Sequence, residues 1–441
     1  MGVPASGGGP RRRHRLLGLP GRSGGPVGRG RLAARRLGAV AALVVVALIG
    51  YTGWQYLALS TGLTRSGILS GSRGGADTNI LLMGLDSRLD EHGHALPASV
   101  YKALHTGNSQ VGGQNANVLI LLHIPANGRR ATALSIPRDD YVQLAGCPDG
   151  VCRGKIKQAY GLALDQESRV LVHEQNAPSG DRREQILRDA GRVAEIKTAQ
   201  QFLGGVTITH FVEVTMVGFY QLAEVVQPIT VCLAEDTKDM YSGADFHRGR
   251  QRLNARQALA FVRQRRDTAH PGLPFTDLDR ERRQQAFIAS LAYQFKQAGT
   301  FTDPTTLSGL INVAKANIAV DTGLNLLSFA GQAQTLAGGN ITYYTLPVDH
   351  FGTTPSGENV NIVNLPLIRS TVHRLLADTI SADHPAPPVQ ATPSAQTRHL
   401  PGRPSTSAVT ASAVGGTDAG GSGPPPTALT ALRGGWIPCV K

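Results

Sequence analysis

Acid and arginine residues recur in this chain where an apolar run has just ended. The run NILLMGLD (79–86) delivers Asp86 and, two residues on, Arg88, while ATALSIPRD (131–139) delivers Arg138 and Asp139. A third group lies in RQRRDTAHPGLPFTDLDRERRQQ (263–285), where Arg263, Arg265, Arg266, Arg280, Arg282 and Arg283 surround four acids and a Pro-Gly turn. A guanidinium binds phosphate oxygens with a planar fork and keeps its charge when buried. Several of them beside carboxylates suit a pyrophosphate whose charge is shared with a divalent ion such as Mg²⁺. The competing reading is a solvated charge run, and helical phase separates the two. At 100° per residue Asp277, Arg280 and Gln284 fall within about 60° of one another, and Ile288, Leu291 and Phe295 continue the stripe. A stripe that is apolar at one end and charged at the other points its polar end into a cavity. Asp277 could instead cap the helix. Arg282 and Arg283 fall outside the stripe and read as solvated.

These residues need a frame. Short apolar runs at 79–86, 117–124, 131–139, 210–219, 229–233 and 341–348 read as strands, several of them buried on both faces. Stretches near 181–203, 255–265, 277–297 and 365–379 read as helices. Strands interleaved with helices imply an α/β fold, an α-β-α sandwich with a central mixed sheet, in which ligands favour the carboxyl ends of the strands. Residues 89–115 read as an inserted surface loop, and the deep apolar strands could line a groove for a lipid.

The formal charge of +13 is concentrated at one end: residues 1–36 carry nine arginines and no acid, and the rest of the chain is close to balanced. That distribution removes the main support for nucleic acid as a partner. LGAVAALVVVALIGYTGWQYL (37–57) holds no charge in 21 residues, close to the ~20 needed to cross a bilayer. Expected, then, are a basic cytoplasmic arm (1–36), one transmembrane helix (37–57), a juxtamembrane stalk (58–75) and an extracellular domain (76–380) at the plasma membrane. Residues 381–441, dominated by Pro, Ala, Ser, Thr and Gly, read as a disordered tail. Cys147 and Cys152 flank the turn-prone PDGV, so a short-loop disulfide fits an exported domain. Cys232 and Cys439 could pair or stay free.

Taken in order, GLDSR, SIPRD, KIKQAYG, HFVEV, GFYQLAEVV, GADF, ALAFVRQR, DLDRERRQQ and TLPV resemble the LytR-CpsA-Psr family of membrane-anchored cell-wall ligases over roughly residues 76–380. With 36 arginines against 8 lysines, the resemblance is to the actinobacterial type. It implies transfer of a glycopolymer from a polyprenyl pyrophosphate carrier to peptidoglycan, with phosphodiester formation. It also implies a Mg²⁺ or Mn²⁺ cofactor. The family's metal aspartate falls on Asp86, its pyrophosphate arginine on Arg138, its paired arginines on Arg263 and Arg265, and its helix group on Asp277, Arg280 and Gln284, with Arg88 a further substrate ligand. Asp277 or Asp86 is the expected proton acceptor. Where the family commonly has a second metal aspartate, this chain has Asn117, which can ligate through its amide oxygen but removes a negative charge. A lipid-pyrophosphate hydrolase and a non-catalytic polyprenyl-phosphate-binding or regulatory membrane protein are the alternatives.

Overall fold

The computed structural model describes residues 62–69, 77–107, 113–270, 272–298, 303–326, 338–381, a few positions between 327 and 337, and 431–441. The basic arm, the apolar segment 37–57 and residues 382–430 of the expected tail lie outside the described residues. Among the described residues, no helix is long and apolar enough to cross a membrane.

Eight strands form the central sheet: β1 (Thr64–Ser66), β2 (Thr78–Leu85), β3 (Ala116–Ile124), β4 (Ala131–Ser135), β5 (His210–Val214), β6 (Ile318–Asp321), β7 (Ile341–Thr345) and β8 (Leu432–Arg433). They lie in the order β1-β6-β5-β2-β3-β4-β7-β8, with β2 parallel to β5 and antiparallel to β3. The helices are α1 (Ala98–Leu104), α2 (Gln158–Val172), α3 (Gly180–Phe202), α4 (Met216–Val226), α5 (Ala255–Arg263), α6 (Asp277–Ala298), α7 (Pro304–Asn317) and α8 (Leu365–Ser381).

The central strands are apolar at nearly every position because both faces of the sheet are covered. Leu81, Met83, Leu119 and Leu121 pack with residues of α2, α3 and α8. Ile80, Ile120 and Leu122 point the other way and pack with residues of α4, α5 and α6. The mixed sheet between two helical layers is therefore the expected fold, and side chains alternate between two cores with the strand period of two.

Three expectations change. The run 210–219 is a strand only to Val214, because the Thr215 hydroxyl accepts the Gly218 N–H and starts α4 at Met216. Within the stretch 89–115, residues 89–107 are built into the body: Glu91 and Leu104 are fully buried, and α1 lies among them. The domain also begins before residue 76, since β1 pairs in parallel with β6 through Thr64↔Ala319.

Helix α3 explains why that insertion is anchored. Arg188 and Arg192 are both fully buried against Glu91 and Glu213. Arg192 Nη2 reaches Glu91 Oε1 at 2.6 Å and Glu213 Oε1 at 2.8 Å. Arg188 Nη2 donates to the Asp90 carbonyl at 2.8 Å. Two buried guanidinium groups thus compensate two buried carboxylates and hold the segment that begins with Asp86 and Arg88.

The expected tail differs at its far end. Residues 431–441 sit on the domain: Arg433 pairs with Thr342 of β7, and Cys439–Val440 runs parallel to Ile229–Leu233 in a separate three-stranded sheet completed by Gly249–Leu253. Leu432, Ile437 and Val440 are buried, so this short stretch has the apolar surface that residues 382–430 lack. Both disulfides are formed: Cys147–Cys152, as the PDGV turn suggested, and Cys232–Cys439, which pairing from sequence left open.

Candidate functional site

Helix α6 enters the fold through a local cap that does not use Asp277. Asp279 takes the Thr276 N–H at 2.7 Å and the Thr276 hydroxyl at 3.0 Å, leaving the Asp277 carboxylate to face inward. Further along, Gln285 Nε2 donates to Ser135 Oγ at 2.8 Å and to Thr345 Oγ1 at 2.9 Å. These bonds fix the rotation of the helix against the ends of β4 and β7.

That rotation brings the charged groups together. Arg138 clasps Asp277 through Nε and Nη2 at 3.2 and 3.1 Å, while its Nη1 donates to Asn117 Oδ1 at 2.7 Å. Arg280 Nη2 donates to the same carboxylate at 2.9 Å. Burial would push Asp277 up, but Arg280 and Arg138 hold it below the ordinary carboxylate range. Burial pulls Arg138 down, and Asp277 with Asp139 outweighs it, so this guanidinium stays charged. Arg280 is pulled down by burial, and its Nε has no hydrogen-bond partner in the protein. Arg88 likewise leaves Nε and Nη1 buried without a partner. Buried donors without partners are rare, and guanidinium groups left this way are ready to receive an anion.

The groups open onto one cavity of about 670 Å³. Its polar lining includes Asp86, Arg88, Asn117, Arg138, Lys157, Arg263, Arg265, Arg266 and Arg280, and Gln284 forms part of the wall. The lining also has a long apolar stretch, with Leu82, Val118, Ile120, Val212, Phe219, Leu259, Phe287, Ile288 and Leu291. The stripe read from α6 is therefore present, with Arg280 and Gln284 at the polar end and Ile288 and Leu291 at the apolar end. Gln284 Nε2 also donates to the Val262 carbonyl at 3.1 Å, joining α6 to α5. Arg263 Nη1 donates to the Leu104 carbonyl at 2.7 Å, while Arg265 is exposed at the rim.

Sequence reasoning placed one arginine wrongly and passed over one lysine. Arg283, expected to be solvated, is fully buried. It donates to Gln264 Oε1 at 2.6 Å, Thr237 Oγ1 at 2.8 Å and the Lys441 carbonyl at 2.6 Å. The rings of Phe246, Phe261 and Phe275 surround it, and residues far away in sequence cover a face that helical phase alone leaves open. Lys157 lies in the quoted KIKQAYG motif, yet its charge was given no role; its ammonium lines the cavity, 2.7 Å from Asp139 Oδ1.

A divalent ion would find few protein ligands in this cavity. No three His, Cys, Asp or Glu side chains are arranged to hold a metal among the described residues. The Asn117 oxygen already accepts from Arg138, and Asp277 is committed to two arginines. Asp86 lines the cavity and has no ion-pair partner among the described residues. One free carboxylate suits Mg²⁺ when phosphate oxygens and water supply the remaining ligands.

Known proteins share this chain's pattern. Cell wall biosynthesis protein LcpA of Corynebacterium glutamicum is 36% identical over 359 residues, covering 79% of this chain and 66% of that protein. The polyisoprenyl-teichoic acid–peptidoglycan teichoic acid transferase TagU of Oceanobacillus iheyensis is 25% identical over 296 residues, covering 65% of this chain and 73% of that protein. The chain spans 66% of LcpA and 56% of the related LcpB, so parts of both relatives have no counterpart in the matched stretch. A solved protein of Streptococcus agalactiae, gbs0355, aligns at 18% identity with a TM-score of 0.49, covering 69% of this chain and 88% of that one. The LytR_cpsA_psr family profile matches residues 63–374, from just before β1 into α8, and the chain belongs to that family.

Proposed function

We propose that this protein is a membrane-anchored phosphotransferase that moves a glycopolymer from a polyprenyl-pyrophosphate carrier to peptidoglycan at the outer face of the plasma membrane. One observation carries the reading: a single cavity is lined by a cationic group of residues and by a long apolar stretch. A prenyl pyrophosphate has the same two-part chemistry. The names of LcpA and TagU, cell wall biosynthesis and teichoic acid transfer to peptidoglycan, support the same assignment.

In this reading the acceptor hydroxyl oxygen bonds to the glycan-bearing phosphorus as the bond to polyprenyl phosphate breaks. The products are a phosphodiester and polyprenyl monophosphate. Such transfers pass through a loose transition state, so positioning and charge stabilisation matter more than a strong base. Arg88, Arg138, Arg263, Arg265 and Arg280 hold the pyrophosphate oxygens, and Gln284 fixes the wall behind them. Asp277, kept ionised by two arginines, orients those guanidinium groups and is a weak proton acceptor. Asp86 would hold Mg²⁺ or Mn²⁺, with Asn117 contributing its remaining lone pair, and the ion when bound would neutralise phosphoryl charge. Residues 37–57 would anchor the domain near its lipid substrate.

The test combines purified protein, a polyprenyl-pyrophosphate saccharide, peptidoglycan oligomers and Mg²⁺. Linked saccharide-peptidoglycan is the expected product. Free saccharide phosphate released to water would make the protein a hydrolase, and unchanged substrate would leave it a binding protein.

A further inference from the structure

Lys157 is held in a way that a purely structural ion pair does not require. It stands at the start of α2, as the N-cap residue of that helix. Its backbone is locked to the site on both sides: its N–H donates to the Arg138 carbonyl and its carbonyl accepts from Ala116 N–H, both at 3.3 Å. The ammonium lines the cavity and has one side-chain partner, Asp139, which also lies 3.5 Å from Arg138 Nε. Arg138, by contrast, has Nε, Nη1 and Nη2 all engaged by protein oxygens. Lys157 therefore keeps spare donors on a flexible stem, and burial together with the nearby Arg138 charge makes an added anion favourable there.

Strand register says which part of the ligand it meets. In the β2–β3 pair, Leu82 stands opposite Ile120 and Gly84 opposite Val118, along the apolar lining, whereas Leu85 stands opposite Ala116 at the outer end. Lys157 is attached at Ala116, beyond that end. A prenyl chain lying along Leu82, Val118 and Ile120 leaves its first phosphate among the arginines and its second phosphate further out.

We infer that Lys157 is a further catalytic residue of this site, the cation that contacts the distal, glycan-bearing phosphate, with Asp139 holding it in readiness when no substrate is bound. The inference rests on the pyrophosphate reading above. The ammonium would leave Asp139 for a phosphate oxygen and follow the transferred group through the reaction.

Farnesyl pyrophosphate, farnesyl monophosphate and farnesol, titrated calorimetrically into the whole protein, separate the possibilities. Wild type should prefer the pyrophosphate. Lys157→Met should weaken pyrophosphate binding about tenfold or more, the scale of one charge-assisted hydrogen bond, and change monophosphate binding much less. Lys157→Arg should restore part of the loss. Asp139→Asn, which removes the competing carboxylate, should leave pyrophosphate binding equal or tighter. Unchanged pyrophosphate binding in Lys157→Met would overturn the inference. So would a matched loss for both phosphates in Lys157→Met and Asp139→Asn with lower melting temperatures, which marks a structural pair. Wild-type protein that binds farnesol as tightly as farnesyl pyrophosphate would instead sink the pyrophosphate reading itself.

Discussion

Replacing Arg283 with alanine tests whether the arginine clamp depends on residues outside the cavity. The guanidinium makes three short hydrogen bonds, to Gln264, Thr237 and the main-chain oxygen of Lys441, and no Asp or Glu side chain pairs with it among the described residues. Burial pushes its pKa down to about 9, with Asp279 and Asp267 opposing from a distance. Each hydrogen bond to a charged group is worth about 1.5–3 kcal/mol, but this charge is already costly to bury, and Thr237 can still donate to Gln264. Truncation also leaves a void among Phe246, Phe261 and Phe275. The balance is a loss of about 3–5 kcal/mol in urea unfolding. Because Gln264 lies between Arg263 and Arg265, the folded fraction should also show a raised KM for the proposed lipid substrate with a smaller change in kcat. Arg283→Met, which keeps the volume, should recover part of the stability. A loss below about 1 kcal/mol, with KM unchanged, would show that the clamp does not lean on this residue.

Three more outcomes are expected. Arg138→Ala or Arg280→Ala should cut transfer by about 100-fold or more in the saccharide assay, the scale of losing one preorganised donor; a loss of a few-fold would place the chemistry elsewhere. Asn117→Asp adds a carboxylate beside Arg138 and Asp86, so Mg²⁺ affinity should rise in a direct titration, and an identical dependence would put this position out of reach of the ion. Glu281 is buried with neither carboxyl oxygen bonded, and burial, reinforced by Asp277, pushes it up to about 8. Between the ordinary carboxylate value and about 8 the folded protein holds a proton that the unfolded chain has released, so this group makes stability fall as pH rises. Glu281→Gln should flatten that part of the pH–stability curve, and an unaltered slope would show that Glu281 is not the group responsible.

The sheet and most of the cavity's charged lining were legible because they follow from short-range pattern. Runs such as NVLILLHI are apolar on both faces only if both are covered, and Asp86 and Arg138 follow their strands directly. Arg280 and Gln284 were found because α6 has one apolar stripe and the cavity is its continuation. What escaped notice depended on distant partners. Arg188 and Arg192 received no role, because their partners Glu91 and Glu213 arrive from an insertion and a strand. Lys157 gave no periodic signal, since it sits at a helix start where the strand pattern ends and the helical one begins. The end of α4's preceding strand was misplaced because VTMVGF carries no charge, and only the Thr215 cap marks the change.

The bond between Cys232 and Cys439 turns the chain between them into a covalent ring, 207 positions around. Both arms of the arginine clamp, the 263–266 segment and α6, are on that ring. One protease cut between Cys232 and Cys439 would therefore not release the last strands. The two pieces would migrate as one under non-reducing denaturing conditions and separate only after reduction. In the chain-entropy account, closing a ring of this size disfavours the unfolded state by about 5 kcal/mol. A reducing environment would thus weaken the fold and loosen the carbonyl at Lys441 from Arg283 in the same step, whereas an oxidising one keeps the clamp braced.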